Sequence, residues 1–165
     1  MRNRGFSLVE LVIVLVLLSL SVALVAPSLS RFAKRVELKT SAQKISGILR
    51  YFRSESIQKG RVYQVLFDSQ LREVRVQALE EEEKGEGEKE EGEQRVLKKS
   101  YSLPDGIQMK DVKIPTPEFP TDVPTIEFYP NGSSNGGSVI LEAQDQKGYR
   151  IRVHFITGMV KVEEG

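Results

Sequence analysis

The sequence has 165 residues, of which 39% are hydrophobic and 28% are charged, and its formal net charge is +1. It contains no cysteine and one histidine, which excludes disulfides, thiolate catalysis and metal sites that need cysteine or two imidazoles. The length suits one domain of ordinary size. The near-neutral charge hides an uneven distribution, because nine of the 23 acidic residues lie between Glu80 and Gln94.

An apolar segment of about 21 residues opens the chain, from Phe6 to Ala26, and its polar side chains are Ser7, Glu10, Ser19 and Ser21. As a helix it would be about 31 Å long, since each residue adds about 1.5 Å, and this is enough to cross the hydrocarbon core of a bilayer. We therefore predict a transmembrane helix over residues 6–26.

Two other interpretations of this segment remain open on the residues alone, a secretory signal peptide and a plain signal anchor. A signal peptide has a shorter apolar region, and here the segment meets Pro27 instead of a small-residue cleavage site. Arg2 and Arg4 favour a cytoplasmic N-terminus for an anchor. Neither interpretation explains Glu10, because a carboxylate in lipid costs on the order of 2.5–3.5 kcal/mol. Glu10 either reaches water at the interface, stays protonated there, or meets a cation from another chain.

The string Arg4-Gly5-Phe6-Ser7-Leu8-Val9-Glu10, followed by the apolar segment, resembles the class III leader of type IV pilins and type II secretion pseudopilins. The resemblance implies that a prepilin peptidase removes leader residues 1–5 by cutting between Gly5 and Phe6, and that it methylates Phe6. It also implies that Glu10 pairs with the terminal amine of a neighbouring subunit during assembly. The implied location is the bacterial inner membrane, crossed once, with a cytoplasmic N-terminus and a periplasmic globular domain.

Helical spacing continues beyond Pro27, where we expect a kink or a helix boundary because proline removes one helical hydrogen bond. The later apolar residues recur every three or four positions and form one stripe: Leu38, Ala42, Ile45, Leu49 and Phe52. Lys59 and Gly60 supply a basic last turn and a glycine stop. We predict a helical spine from about Phe6 to Lys59, with an amphipathic, periplasmic second half over residues 27–60.

From residue 61 to residue 165 the pattern changes to the period of two that is typical of strands. The predicted strands are Tyr63–Phe67, Val74–Ala78, Gln94–Leu103, Ile107–Ile114, Thr125–Tyr129, Val139–Ala143, Tyr149–Ile156 and Met159–Glu163. A proline-dense stretch before the fifth strand indicates an extended loop. The acidic insert, residues 80–94, lacks apolar residues, so we predict that it is disordered or forms a mobile hairpin tip. The predicted fold class is α+β, a pilin-like lollipop in which the helical spine packs on a C-terminal antiparallel β-sheet.

The C-terminal strings FYPNG, SVILEA and RIRVHFITGMVKV are similar to the pattern of GspH/FimT-type minor pseudopilins and pilins. The resemblance implies a minor pseudopilin, a structural subunit of the type II secretion pseudopilus that helps to export folded proteins across the outer membrane. The implied partners are the major pseudopilin, other minor pseudopilins, the prepilin peptidase and the inner-membrane secretion platform.

The alternative is a minor type IV pilin that contributes to pilus assembly or to DNA binding and uptake, which requires a basic face. The candidates for that face are Lys147, Arg150, Arg152, His154 and Lys161. The ending GMVKV departs from the more basic, Gly-Arg-containing endings of DNA-binding members. We therefore interpret these residues as a solvated strand face and expect no nucleic-acid partner.

The sequence contains no phosphate-binding loop, serine-hydrolase or zinc-protease motif. His154 alternates with Val153 and Phe155, so we expect it on the strand surface, without a catalytic partner. We predict no enzymatic activity, no cofactor and no metal site.

Overall fold

The structure is a computed structural model that describes residues 7–80, 94–144 and 146–165; for residues 23–31, 80 and 94–98 it describes the backbone alone. The helix α1 spans Leu8–Lys59. The strands are β1 (Tyr63–Asp68), β2 (Glu73–Glu80), β3 (Gln94–Ser102), β4 (Ile107–Lys113), β5 (Thr125–Phe128), β6 (Gly137–Ala143), β7 (Tyr149–Val153) and β8 (Val160–Glu164). The chain divides into two compact units, Met1–Val36 and Glu37–Gly165.

The second half of α1 packs as its stripe predicts. All five predicted stripe residues, from Leu38 to Phe52, are at most 4% exposed. They belong to one hydrophobic core that also contains residues of the strands. The helix ends at Lys59, and Gly60 adopts a positive φ of 64° that favours glycine. The prediction of a helical spine on an antiparallel β structure is therefore confirmed.

The strands form two four-stranded antiparallel sheets, whereas the sequence predicted one. The first sheet has the order β3-β2-β1-β5 and the second has the order β4-β6-β7-β8. Alternation along a strand identifies its buried face but not its distant partners, so the division into two sheets had no local signal.

All six residues of β1 are buried, and they include the polar residues Gln64 and Asp68. The side chain of Gln64, on the face opposite the core, donates a hydrogen bond of 2.9 Å to the carbonyl oxygen of Phe119. Because Phe119 lies in the proline-rich loop, residues 114–124, this loop is fastened to the first sheet through Gln64. The loop therefore has a fixed position, although it lacks regular secondary structure.

Glu127 holds the same loop from within the sheet. Its side chain is fully buried, and its carboxylate accepts four hydrogen bonds. The donors are the Gln64 amide at 2.8 Å, the backbone N–H groups of Glu118 at 2.7 Å and Phe119 at 3.0 Å, and the Tyr129 hydroxyl at 2.9 Å. Burial and this hydrogen bond to Glu127 raise the pKa of the Tyr129 phenol. Four donors satisfy a buried carboxylate, so Glu127 joins loop and sheet without an orphaned charge.

One predicted strand was too long. The sequence predicted a strand over Tyr149–Ile156, but β7 ends at Val153, and Phe155 is 60% exposed instead of facing the core. The chain turns here because the N–H of Gly158 donates to the His154 carbonyl at 2.8 Å. The backbone carbonyl oxygen of Phe155 accepts a hydrogen bond of 2.9 Å from the N–H of Ser134, which lies outside the named strands.

The acidic insert lies mostly outside the described residues, which resume at Gln94. Its first and last residues, Glu80 and Gln94, are not part of a loop. They pair with each other where β2 ends and β3 begins. The insert therefore connects the two strands of a hairpin, and the prediction of its disorder stays a prediction.

Candidate assembly interface

The proposed leader residues, Gly5 and Phe6, lie outside the described residues, so cleavage and methylation there stay predictions. Glu10 is described, and it lies exposed in the first turn of α1. A carboxylate at this position is favoured by the positive end of the helix dipole. Within residues 7–80, 94–144 and 146–165, no basic group forms an ion pair with the Glu10 carboxylate.

The first turns of α1 present apolar side chains on every side. Each large apolar residue from Leu8 to Val22 is at least 45% exposed. The hydroxyl groups of Ser19 and Ser21 donate hydrogen bonds of 2.8 Å to the carbonyl oxygens of Leu15 and Leu17, one turn earlier. These bonds satisfy both serines within the helix, so they add little polar surface to it.

In the part of the chain that the structure describes, no helix combines the length and hydropathy that crossing a membrane requires. The predicted span, residues 6–26, extends past the described side chains at both ends. It therefore stays a prediction.

The helix passes through Pro27 without ending there. Of the two outcomes expected at Pro27, a helix boundary does not occur. The kink at Pro27 stays a prediction.

The structure brings three of the five candidate basic residues onto one face of the second sheet. Arg150 and Arg152 alternate outward along β7, and Lys161 lies opposite Arg152 on β8. Glu163 lies opposite Arg150 on the same face and forms an ion pair of 3.7 Å with Arg152. The face is therefore mixed in charge, which weakens it as a binding surface for DNA phosphates.

The other two candidates lie beyond the strand ends. Lys147 is exposed in the turn before β7. His154 follows β7, where its ring stacks on Phe155 at 5.4 Å and its Nδ1 atom lies 3.3 Å from the Thr157 hydroxyl. Because neither lies on the strand face, the five residues do not form one patch.

A junction that the sequence did not reveal joins the end of α1 to two glycine turns. Arg53 donates from Nε to the carbonyl oxygen of Gly132 at 3.2 Å, and the Ser56 hydroxyl lies 3.1 Å from the carbonyl oxygen of Tyr129. Gly158 fits closely against both groups, because a Cβ there would lie 2.6 Å from the Gly132 oxygen and 2.8 Å from Arg53 Nε. The strings FYPNG and ITG contain these glycines, so both strings contribute to the junction.

Comparison with known proteins identifies the family. The family model described as Type II transport protein GspH matches residues 41–157, and the model of the prokaryotic N-terminal methylation motif matches residues 1–26. The chain is similar to the type II secretion system protein H of Xanthomonas campestris pv. campestris. The two are 27% identical over 158 residues, which cover 96% of this chain and 82% of the relative.

Solved structures share the fold. The minor pseudopilin EpsH of the type 2 secretion system of Vibrio cholerae matches with a TM-score of 0.57 at 17% identity, over 78% of this chain and 97% of that chain. The type IV minor pilin FimU of Pseudomonas aeruginosa matches with a TM-score of 0.54 at 15% identity, over 80% and 92% of the two chains. The GspH family model and the Xanthomonas relative favour the pseudopilin over the minor type IV pilin. Because the GspH model spans more than half of its length, the chain belongs to the GspH family and is a GspH-type minor pseudopilin.

Proposed function

We propose that the chain enters the type II secretion pseudopilus through the first half of α1, and that Glu10 sets its position there. A pseudopilin role implies association with the pseudopilus and with other pseudopilins. The observation that supports this proposal is the exposed apolar surface of Leu8–Val22, which includes one carboxylate, that of Glu10, in the first turn of the helix. The proposed contacts are the spines of the major pseudopilin and of other minor pseudopilins, and the proposed assembly site is the inner-membrane secretion platform.

The N-terminal methylation motif implies a membrane anchor at the N-terminus and a periplasmic globular domain. We propose that residues 6–26 cross the bacterial inner membrane once, with the N-terminus in the cytoplasm. The helical backbone satisfies its own hydrogen bonds in lipid, and the Ser19 and Ser21 hydroxyls are satisfied by the same helix.

Cleavage by the prepilin peptidase between Gly5 and Phe6 would remove Arg2 and Arg4 and leave an ammonium group on Phe6. A neighbouring Glu10 carboxylate can neutralise that ammonium at the same depth. A subunit added in the wrong register would leave both charges unpaired in an apolar environment, at a cost of about 3–5 kcal/mol. The pair therefore selects the axial position, while burial of apolar spine surface supplies the affinity, about 25 cal/mol per Å².

The test compares Glu10→Gln with Glu37→Gln in cells that carry the complete secretion system. Both residues are exposed glutamates of α1, so the second variant controls for loss of a charge on the helix. We expect both variants to be cleaved, Glu10→Gln to lose co-assembly and secretion, and Glu37→Gln to retain them. N-terminal sequencing checks that Phe6 is the methylated first residue. Normal assembly of Glu10→Gln, or an intact Met1 in the wild-type chain, would contradict the proposal.

A further inference from the structure

The turn between β7 and β8 exposes three large apolar side chains. Phe155 is 60% exposed, Ile156 is 62% exposed and Met159 is 56% exposed. In the described part of the second unit, the other exposed large apolar residues are Tyr51 at 53%, Ile57 at 47% and Leu71 at 66%, and none belongs to this turn. Isolated exposed apolar residues are ordinary, but three within five positions form a patch of the kind that marks an interaction surface. We call Phe155, Ile156 and Met159 the apolar turn.

The apolar turn is held in one conformation by backbone hydrogen bonds on both sides. The N–H of Gly158 donates to the His154 carbonyl at 2.8 Å, and the N–H of His154 donates to the Met159 carbonyl at 3.0 Å. A third bond, from the N–H of Ser134 to the Phe155 carbonyl at 2.9 Å, ties the turn to the loop before β6. A surface that is ordered before binding loses little conformational entropy on binding, which favours affinity.

The groups around the apolar turn are mainly basic. His154 stacks on Phe155, and Arg53 reaches the turn at Gly158. Lys161 is exposed two residues after the turn, and within the described residues it has no ion pair. The complementary partner surface is therefore apolar at its centre and carries carboxylates at its rim.

We propose that the apolar turn docks into an apolar groove, rimmed by carboxylates, on another pseudopilin of the same pseudopilus. This inference rests on the proposed function. A protein partner is favoured over the inner membrane because the turn contacts α1 at Arg53, sixteen residues past Glu37, or roughly 24 Å along the helix. The helical segment between Glu37 and Arg53 therefore has ends that are far apart. The turn contacts the Arg53 end, whereas the proposed anchor precedes the Glu37 end.

The first experiment places a photoreactive phenylalanine analogue at Ile156 of the full chain in cells with the complete secretion system. The matched control carries the same analogue at Leu71, which is 66% exposed and lies in the β1–β2 connection. We expect position 156, and not position 71, to crosslink to another pseudopilin through a peptide that contains carboxylates. Crosslinking of position 156 to lipid alone, or to no protein, would overturn the inference.

The second experiment measures co-purification of the other pseudopilins with Ile156→Ser combined with Met159→Ser. We expect at least a tenfold loss at an unchanged level of the variant chain, and no loss for Leu71→Ser. We expect Lys161→Glu to lower co-purification most at low salt, since rim charges are screened by salt.

If these variants co-purify like the wild type while the wild-type chain restores secretion, the docking surface is wrong and the proposed function stands. If the wild-type chain itself fails to restore secretion, the proposed function is wrong.

Discussion

Single residues fix the loops of this domain, and Glu127 illustrates why their role is hidden in the sequence. A glutamate in a strand is usually exposed, yet Glu127 is fully buried and accepts bonds from two backbone N–H groups of the proline-rich loop. The neighbours Ile126 and Phe128 identify a buried strand, but nothing local indicates four donors around a carboxylate. Sequence reasoning found the strand and missed the contact because three of the four donors lie outside the predicted strand, two in the preceding loop and one, Gln64, on β1.

Replacement of Glu127 by glutamine should destabilise the domain. The amide group cannot accept all four hydrogen bonds, so at least one buried donor loses its partner, at a cost of about 1–3 kcal/mol. The control is Glu142→Gln, whose partner Lys110 lies 2.9 Å away at the surface and whose loss should cost at most about 1 kcal/mol. Urea unfolding of the detergent-solubilised full chain measures both effects. Equal midpoints for the two variants would contradict the assigned role.

Gly158 should be intolerant of a side chain for two independent reasons. Its φ is +60°, and a Cβ would lie 2.6 Å from the Gly132 carbonyl oxygen. We expect Gly158→Ala to lower the free energy of unfolding by about 1–3 kcal/mol. Gly47→Ala is the matched control, because Gly47 is helical and a Cβ there would meet nothing within 4 Å beyond its own stretch of helix backbone, and it should raise stability by roughly 0.5–1 kcal/mol. The same unfolding measurement tests both signs, and a stabilising Gly158→Ala would contradict the packing at the junction.

At the scale of elements, every predicted strand exists, because period-two alternation and turn residues are local signals. The stripe on α1 also predicted which helical residues are buried. The two-sheet arrangement and the end of β7 at Val153 were not predicted. The two-sheet arrangement depends on long-range pairing, which no local pattern encodes. The end of β7 combines the local turn bond from Gly158 to His154 with the long-range bond from Ser134 to Phe155.

The outer edge of β5 is covered by an isolated bridge from Phe128 to Ser134 and by one side chain. The Asn135 amide accepts from the N–H of Glu127 at 2.9 Å and donates to the carbonyl oxygen of Thr125 at 2.9 Å, as a neighbouring strand would. At the other sheet's edge, β4 has a register shift between Met109 and Asp111 and an exposed Lys110. Such features hinder the addition of a foreign strand, which agrees with the proposed assembly through the spine and the apolar turn.

Asn135→Ala should open the β5 edge. Two backbone groups of buried residues lose their partner, so we expect a loss of about 2–4 kcal/mol and association that increases with protein concentration. Asn131→Ala is the control, because the described bonds of the Asn131 side chain go only to the half-buried Ser133, and their loss should cost at most about 1 kcal/mol. Unfolding midpoints and light scattering report the two effects. If Asn135→Ala remains as stable and as dispersed as Asn131→Ala, the edge is protected by something else.

For the whole molecule, the two units differ in how their apolar residues are used. In the unit that starts at Glu37, the stripe and both sheets share one core. In the described part of the first unit, the large apolar side chains are exposed, so their burial requires lipid or other chains. We propose that the carboxylate amid that surface meets a cation, and that this cation is the trimmed N-terminus of a neighbour.

An apolar carbodiimide, which joins a carboxylate to an amine without a spacer and partitions into lipid, tests this pairing most directly. Applied to isolated pseudopili and followed by mass spectrometry, it should yield a peptide in which Glu10 is joined to the N-terminal residue of an adjacent pseudopilin. Glu37, on the same helix, should yield no such product and serves as the internal control. If Glu10 in assembled filaments is joined to lysines alone, or to no amine at all, the account is contradicted.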